Sequence, residues 1–227
     1  MRKQLFLVMA CMAFLFSSSQ PFMSDSLRKA KKDSTLHARM REDSIKTERE
    51  FGEGEKWDKL FAKLEYPLLK GGKFSGVIPV KDPTEIPDPN QEYKLLFELT
   101  ANNPDSLAKD INQGLDEVTR VMNLHFASGI PAKKIIPVIV VHGPALAAIS
   151  NNETYKRKFN MDNPNLKLIQ DLEKAGAKFI ACGQAMAFFD VKKEELLPEV
   201  KVSLTAQTVL SNYQTKGYIL YSIEPQK

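Results

Sequence analysis

The chain has 227 residues, of which 43% are apolar and 26% charged, with a formal net charge of +4. This is the composition of a soluble globular protein, one domain with appendages, able to build an apolar core without staples. Arg2 and Lys3 at the extreme N-terminus supply part of the positive excess, and the mild balance that remains gives no basis for a nucleic-acid partner or an anionic membrane surface.

The first residues have the three-part order of a secretory leader. Arg2 and Lys3 are followed by the apolar stretch LFLVMACMAFLF over residues 5–16 and then by the small residues Ser17, Ser18 and Ser19. Residues 1–19 are therefore expected to be a signal peptide, cut after Ser19, and the mature protein to be exported, periplasmic or secreted. The apolar run is too short to span a bilayer. No later segment approaches its length without charges, so no membrane association is expected after cleavage. A rival reading is lipidation at Cys11, which follows Leu7-Val8-Met9-Ala10; against it, the apolar run continues to Phe16. Loss of the leader leaves Cys182 as the only cysteine. Such a thiol is buried and inert, bridged to another molecule, or reactive.

Residues 20–56 are rich in Ser, Lys, Arg, Asp and Glu, as in RKAKKDS and REDSIKTERE, and read as a charged, flexible arm with no face to bury. Residues 57–92 form an extension. Trp57, Leu60, Phe61 and Leu64 fall at helical spacing until Tyr66-Pro67 breaks the run, and a glycine- and proline-rich coil from 70 to 92 is expected to wrap the domain. The regular domain occupies 93–227. YKLLFELT (93–100) reads as a strand, and Pro104-Asp105-Ser106 opens a helix whose stripe is Leu107, Ile111, Leu115, Val118, Met122 and Phe126, ended by Gly129. IIPVIVV (135–141) is a second, almost wholly apolar strand, in which Pro137 costs a ladder bond, so one free edge is expected near that point. A helix follows Asn163-Pro164 and stops at Gly176; KFIAC (178–182) is the third strand; a short helix covers 184–189. A short strand at 200–204, a helix through Val209, Leu210 and Tyr213, and a last strand at 218–223 complete the domain. Alternating strands and helices predict a three-layer α/β/α sandwich with a mostly parallel sheet.

In such a sheet ligands gather beyond the carboxyl ends of the strands. His142 closes the second strand and precedes Gly143-Pro144; Cys182 closes the third and precedes Gly183-Gln184. A thiol at a helix start meets unpaired N–H groups and a partial positive charge that favour thiolate. Cys182 and His142 are the candidate reactive pair, with Gly143, Gly183 and Gln184 as the substrate-binding positions, the amides from Gly183 onward being those that would stabilise an anion. The plainer readings stand beside these: a buried small hydrophobe for Cys182, a hydrogen-bonded structural residue for His142, and a solvated face for Lys156-Arg157-Lys158. His125 lies in a helix beside the apolar stripe. There is no CxxC, Walker loop, GxGxxG or HExxH, so dithiol exchange, nucleotide binding and zinc proteolysis have no support. Three widely spaced histidines with one cysteine argue against a metal site.

VIVVHGPAL (138–146), LEKAGAKFIACGQAMA (172–187), ELLPEVKVSLTA (195–206) and GYILYSI (217–223) together resemble the DsrE/DsrF-like family of sulfur-handling proteins. Tyr66-Pro67 and the proline-rich wrap resemble the extension of its exported members. The resemblance implies a flavodoxin-like fold, homo-oligomers (trimers or hexamers), no organic cofactor, and a persulfide carried on the cysteine that ends the third strand, here Cys182. It leaves two functions in view: a sulfur carrier or sulfurtransferase-like relay to an acceptor thiol, or a non-catalytic oligomeric binding module around an inert cysteine.

Overall fold

The computed structural model describes residues 54–223 continuously, with residues 39, 41, 42, 44, 46 and 52 before them. The expected signal peptide and much of the charged arm lie outside the described residues. The chain divides into two compact units, Met1–Lys56 and Trp57–Lys227. In the first, the described residues are helical and exposed. Among the described residues no helix is long and apolar enough to cross a membrane.

The second unit opens on a helical segment, α1 (57–61), whose Trp57 and Phe61 rings stack at 5.9 Å. A strap follows, closed on itself by an antiparallel bridge between Glu65 and Val77. The sheet has five strands: β1 (Tyr93–Leu99), β2 (Ile135–Val141), β3 (Lys178–Cys182), β4 (Lys201–Ser203) and β5 (Ile219–Ile223). Their order is β4-β3-β2-β1-β5 and every pair is parallel. This is the flavodoxin-like arrangement with the lone strand beyond β1 supplied by the last strand of the chain.

Strand parity divides the core. Leu95, Phe97, Leu99, Ile135, Ile139, Val141 and Phe179 face the helices α2 (Gln113–Ala127) and α4 (Leu166–Lys174). Leu96, Val138, Val140, Ile180 and Cys182 face the other way, against Ala206 and Leu210 of α6 (Ala206–Thr215). Each large apolar side chain removed from water in this way contributes about 1.5–3 kcal/mol. α3 (Asn152–Phe159) lies between β2 and α4, and α5 (Gly183–Phe188) joins β3 to β4.

One expectation changes, and two are borne out with added detail. α2 starts at Gln113, not at Pro104: Asp105–Leu107 is a single 3₁₀ turn, and the chain then bends around Asn103, whose amide donates to the carbonyls of Leu107, Asp110 and Ile111. Asn112 supplies the cap, accepting from Gly114 and Leu115. The basic triplet 156–158 is not only a solvated face but the end of α3, capped by Asn151 and closed by Asn160 at φ 56°. Pro137 sits in an interior strand with the expected free edge beside it: pairing with β3 begins only at Val138, so the missing N–H costs no ladder bond there.

Candidate functional site at the carboxyl rim of the sheet

β2 and β3 are apolar because both faces of the sheet are covered where they lie, and their ends therefore carry whatever polar chemistry the rim has. The N–H of His142 donates to the Leu99 carbonyl at 3.0 Å, extending the β1–β2 ladder one residue past the strand. His142 stays extended, with φ −148° and ψ 173°. Val141 pairs with Ala181, so His142 and Cys182 come level on neighbouring strands, facing the α6 side of the sheet. Adjacent strands lie roughly 4.8 Å apart. The register thus sets the two residues expected to share a site side by side at the strand ends.

Cys182 is buried, with 5% of its surface exposed. Its sulfur accepts the backbone N–H of Ala206 at 3.2 Å. Ala206 opens the ten-residue α6, and the Thr205 hydroxyl accepts the next N–H, that of Gln207. The sulfur thus serves as a second acceptor at this helix start, where orphan N–H groups and the dipole favour negative charge.

This corrects the expected source of the amide. Cys182 occupies the cap position of α5 but makes no side-chain cap bond to it. The Gln184 N–H is spent on the Leu204 carbonyl at 3.1 Å, and the Gln184 side chain is exposed. Gly183 is required by space: a Cβ there would come 2.6 Å from the Ser203 carbonyl oxygen. Both residues lock β3 to the start of α6 and so place the sulfur indirectly. Gly143 has φ +62° and turns the chain away from the rim into a 3₁₀ helix, Gly143–Ile149. It lines a pocket of about 390 Å³ with Tyr155, Arg157, Lys158, Phe159 and Phe189, and Cys182 does not line it.

The structure adds a residue that sequence reading missed. Glu98 of β1 points to the same face, and its Oε1 accepts from His142 Nε2 at 2.9 Å. Its Oε2 accepts from the Ser222 hydroxyl of β5 at 3.4 Å. The signal was a carboxylate inside the otherwise apolar YKLLFEL. Among the described residues no group of three or more His, Cys, Asp or Glu side chains is arranged to hold a metal ion.

The pattern of the DsrE/DsrF-like family matches residues 94–221, more than half of the chain. The chain belongs to that family. Within this DsrE/DsrF-like domain lie all five strands but the first residue of β1 and the last two of β5. Two solved structures are similar to it. One is described as a protein of unknown function, MTH1491, from Methanobacterium thermoautotrophicum, at 16% identity, covering 58% of this chain and 100% of its own, with a TM-score of 0.43. The other is the ychN protein from E. coli, at 10% identity, covering 58% of this chain and 99% of its own, with a TM-score of 0.42. No curated protein matches the chain.

Proposed function

We propose that this DsrE/DsrF-like protein is an exported sulfur carrier that holds sulfane sulfur as a persulfide on Cys182 and relays it to an acceptor thiol. The observation that carries the reading is the bond from the Ala206 N–H to the Cys182 sulfur, at the first turn of α6 and level with His142. A persulfide is more acidic than a thiol, and a helix start stabilises either anion. In the loading step the Cys182 thiolate attacks a terminal sulfur of a polysulfide dianion. One S–S bond forms, one breaks, and the polysulfide leaves one sulfur shorter as a dianion. In the relay step an acceptor thiolate attacks the outer sulfur and releases the Cys182 thiolate. Neither step needs a further oxidant or reductant.

Export rests on the order of charges, apolar residues and serines in 1–19. Homo-oligomerisation draws support from large apolar side chains left on the surface, Phe188 at 84% and Leu204 at 75% exposed among them. The burial of Cys182 within an apolar cluster favours a second reading, a binding module with an inert thiol.

One experiment separates the two. Intact-mass analysis after incubation with polysulfide is expected to show a gain of one sulfur, reversed by dithiothreitol and absent in Cys182→Ser. A native Cys182 that resists polysulfide and iodoacetamide until the protein unfolds sinks the carrier reading and leaves the binding module.

A further inference from the structure

Four neighbouring strands place chemistry-bearing side chains in one row on the α6 face of the sheet: Ser222 on β5, Glu98 on β1, His142 after β2 and Cys182 on β3. Glu98 is the unexpected member. Its neighbours on that face include Leu96 and Val140, both fully buried, and its own side chain is only 20% exposed. A carboxylate in such surroundings is costly unless its oxygens are paired. Both are paired, and among the described residues the only basic side chain bridged to it is His142.

We infer that Glu98 is the positioning residue that fixes the tautomer and orientation of His142. A carboxylate accepts hydrogen bonds and donates none, so the nitrogen it contacts, Nε2, carries the ring proton. Nδ1 then holds the lone pair, and the neutral ring acts as a proton acceptor through that atom alone. The carboxylate also stabilises the imidazolium that forms when Nδ1 takes a proton. Ser222 holds the second carboxylate oxygen and thereby ties the orientation to the edge strand.

This rests on the carrier reading of Cys182. Before loading, the Cys182 thiol gives its proton to Nδ1, leaving a thiolate facing the Ala206 N–H and an imidazolium facing Glu98. The thiolate then attacks polysulfide as described above. The ring then gives that proton to the departing polysulfide and is neutral again; when the acceptor arrives as a thiol, Nδ1 takes its proton, the acceptor thiolate attacks the outer sulfur, and the ring returns the proton to the released Cys182 thiolate. Glu98 touches neither sulfur; it acts through His142.

The test uses the full mature chain with two readouts. Long-range ¹H–¹⁵N correlation spectra of the histidine ring are expected to show His142 protonated on Nε2 in the wild type. Polysulfide loading followed by mass is expected to slow about 10–100-fold in Glu98→Leu, less than the roughly 100–10,000-fold lost when the proton-transferring side chain itself is removed, because Glu98 acts through His142. Glu98→Gln keeps an acceptor oxygen and is expected to retain the Nε2–H tautomer and to recover much of the rate. In a His142→Ala background Glu98→Leu is expected to have no further effect on the rate, because a residue acting through another adds nothing once that one is gone. An Nδ1–H tautomer in the wild type overturns the inference without any variant. So does a Glu98→Leu loss of the same size with and without His142. A wild type that takes up no sulfur overturns the carrier reading instead, and the tautomer spectra then decide the role of Glu98 by themselves.

Discussion

Asp116 and Asn123 lie about two turns apart on one face of α2 and hold the same strap. The Asn123 amide oxygen accepts the N–H groups of Leu68 and Leu69 at 3.1 and 2.9 Å, and its nitrogen donates to the carbonyls of Leu69 and Ser75 at 2.8 and 2.7 Å. Asp116 Oδ2 accepts the Phe74 N–H at 2.9 Å. Between the bridged residues Glu65 and Val77 the strap has no ladder to satisfy its peptide groups, so these two side chains take the place of one.

Asn123→Ala leaves four backbone contacts unmade in a fully buried position. The expected cost is about 2–4 kcal/mol, read as a lower urea midpoint, with earlier proteolysis within residues 64–77. An unchanged midpoint and an unchanged cleavage pattern would show that the strap is held by its apolar contacts alone.

Asp116 makes the strap sensitive to pH. Its Oδ1 is buried and has no hydrogen-bond partner among the described residues, and burial is the largest influence on the carboxyl, raising its pKa above the ordinary value despite the Phe74 N–H. The native state therefore binds this proton more tightly than the unfolded chain does. The sign follows: the contribution of this carboxyl to stability is fullest below the ordinary carboxylate value of 3.8 and is lost as pH climbs through the raised one. Asp116→Asn keeps the shape and an acceptor for Phe74 while removing the charge. It is expected to be more stable than the wild type by about 1 kcal/mol at neutral pH, with the difference closing in acid. A difference that stays constant across the titration would assign the effect to packing.

What the sequence disclosed divides along physical lines. β2 and β3 were legible to the residue, because a run of apolar residues bounded by charges and glycine has few other ways to fold. The start of α2 was not, because Asn103, Asn112 and Asn165 decide it, and the Asn165 oxygen that accepts the Asn112 N–H arrives from far along the chain. α3 escaped because Tyr155 is its one buried residue, too little to make a stripe. Cys182 and His142 were found as strand ends, a local feature. The donor to the sulfur and the partner of His142 were not, since Ala206 and Glu98 reach them only through strand order.

The acceptor role of the Cys182 sulfur yields a test of the rim that is independent of any sulfur chemistry. Cys182 packs with Val140, Ile180, Ala206 and Leu210, and by apolarity alone alanine would replace it better than serine. The Ala206 N–H reverses that order. Ala206 is itself buried, at 4% exposed, and its N–H bonds to the sulfur. Cys182→Ala strands that donor at a helix start, which costs about 1–3 kcal/mol, whereas the serine hydroxyl can still accept it at the loss of a weak apolar contact. Cys182→Ser is therefore expected to be the more stable of the two by about 1 kcal/mol in urea denaturation, with α6 amides at Ala206 and Gln207 better protected from hydrogen exchange. Should the alanine variant prove equal or more stable, with equal protection, the contact at 3.2 Å contributes nothing to α6. The sulfur would then lack the anion-stabilising surroundings on which a persulfide at this position depends.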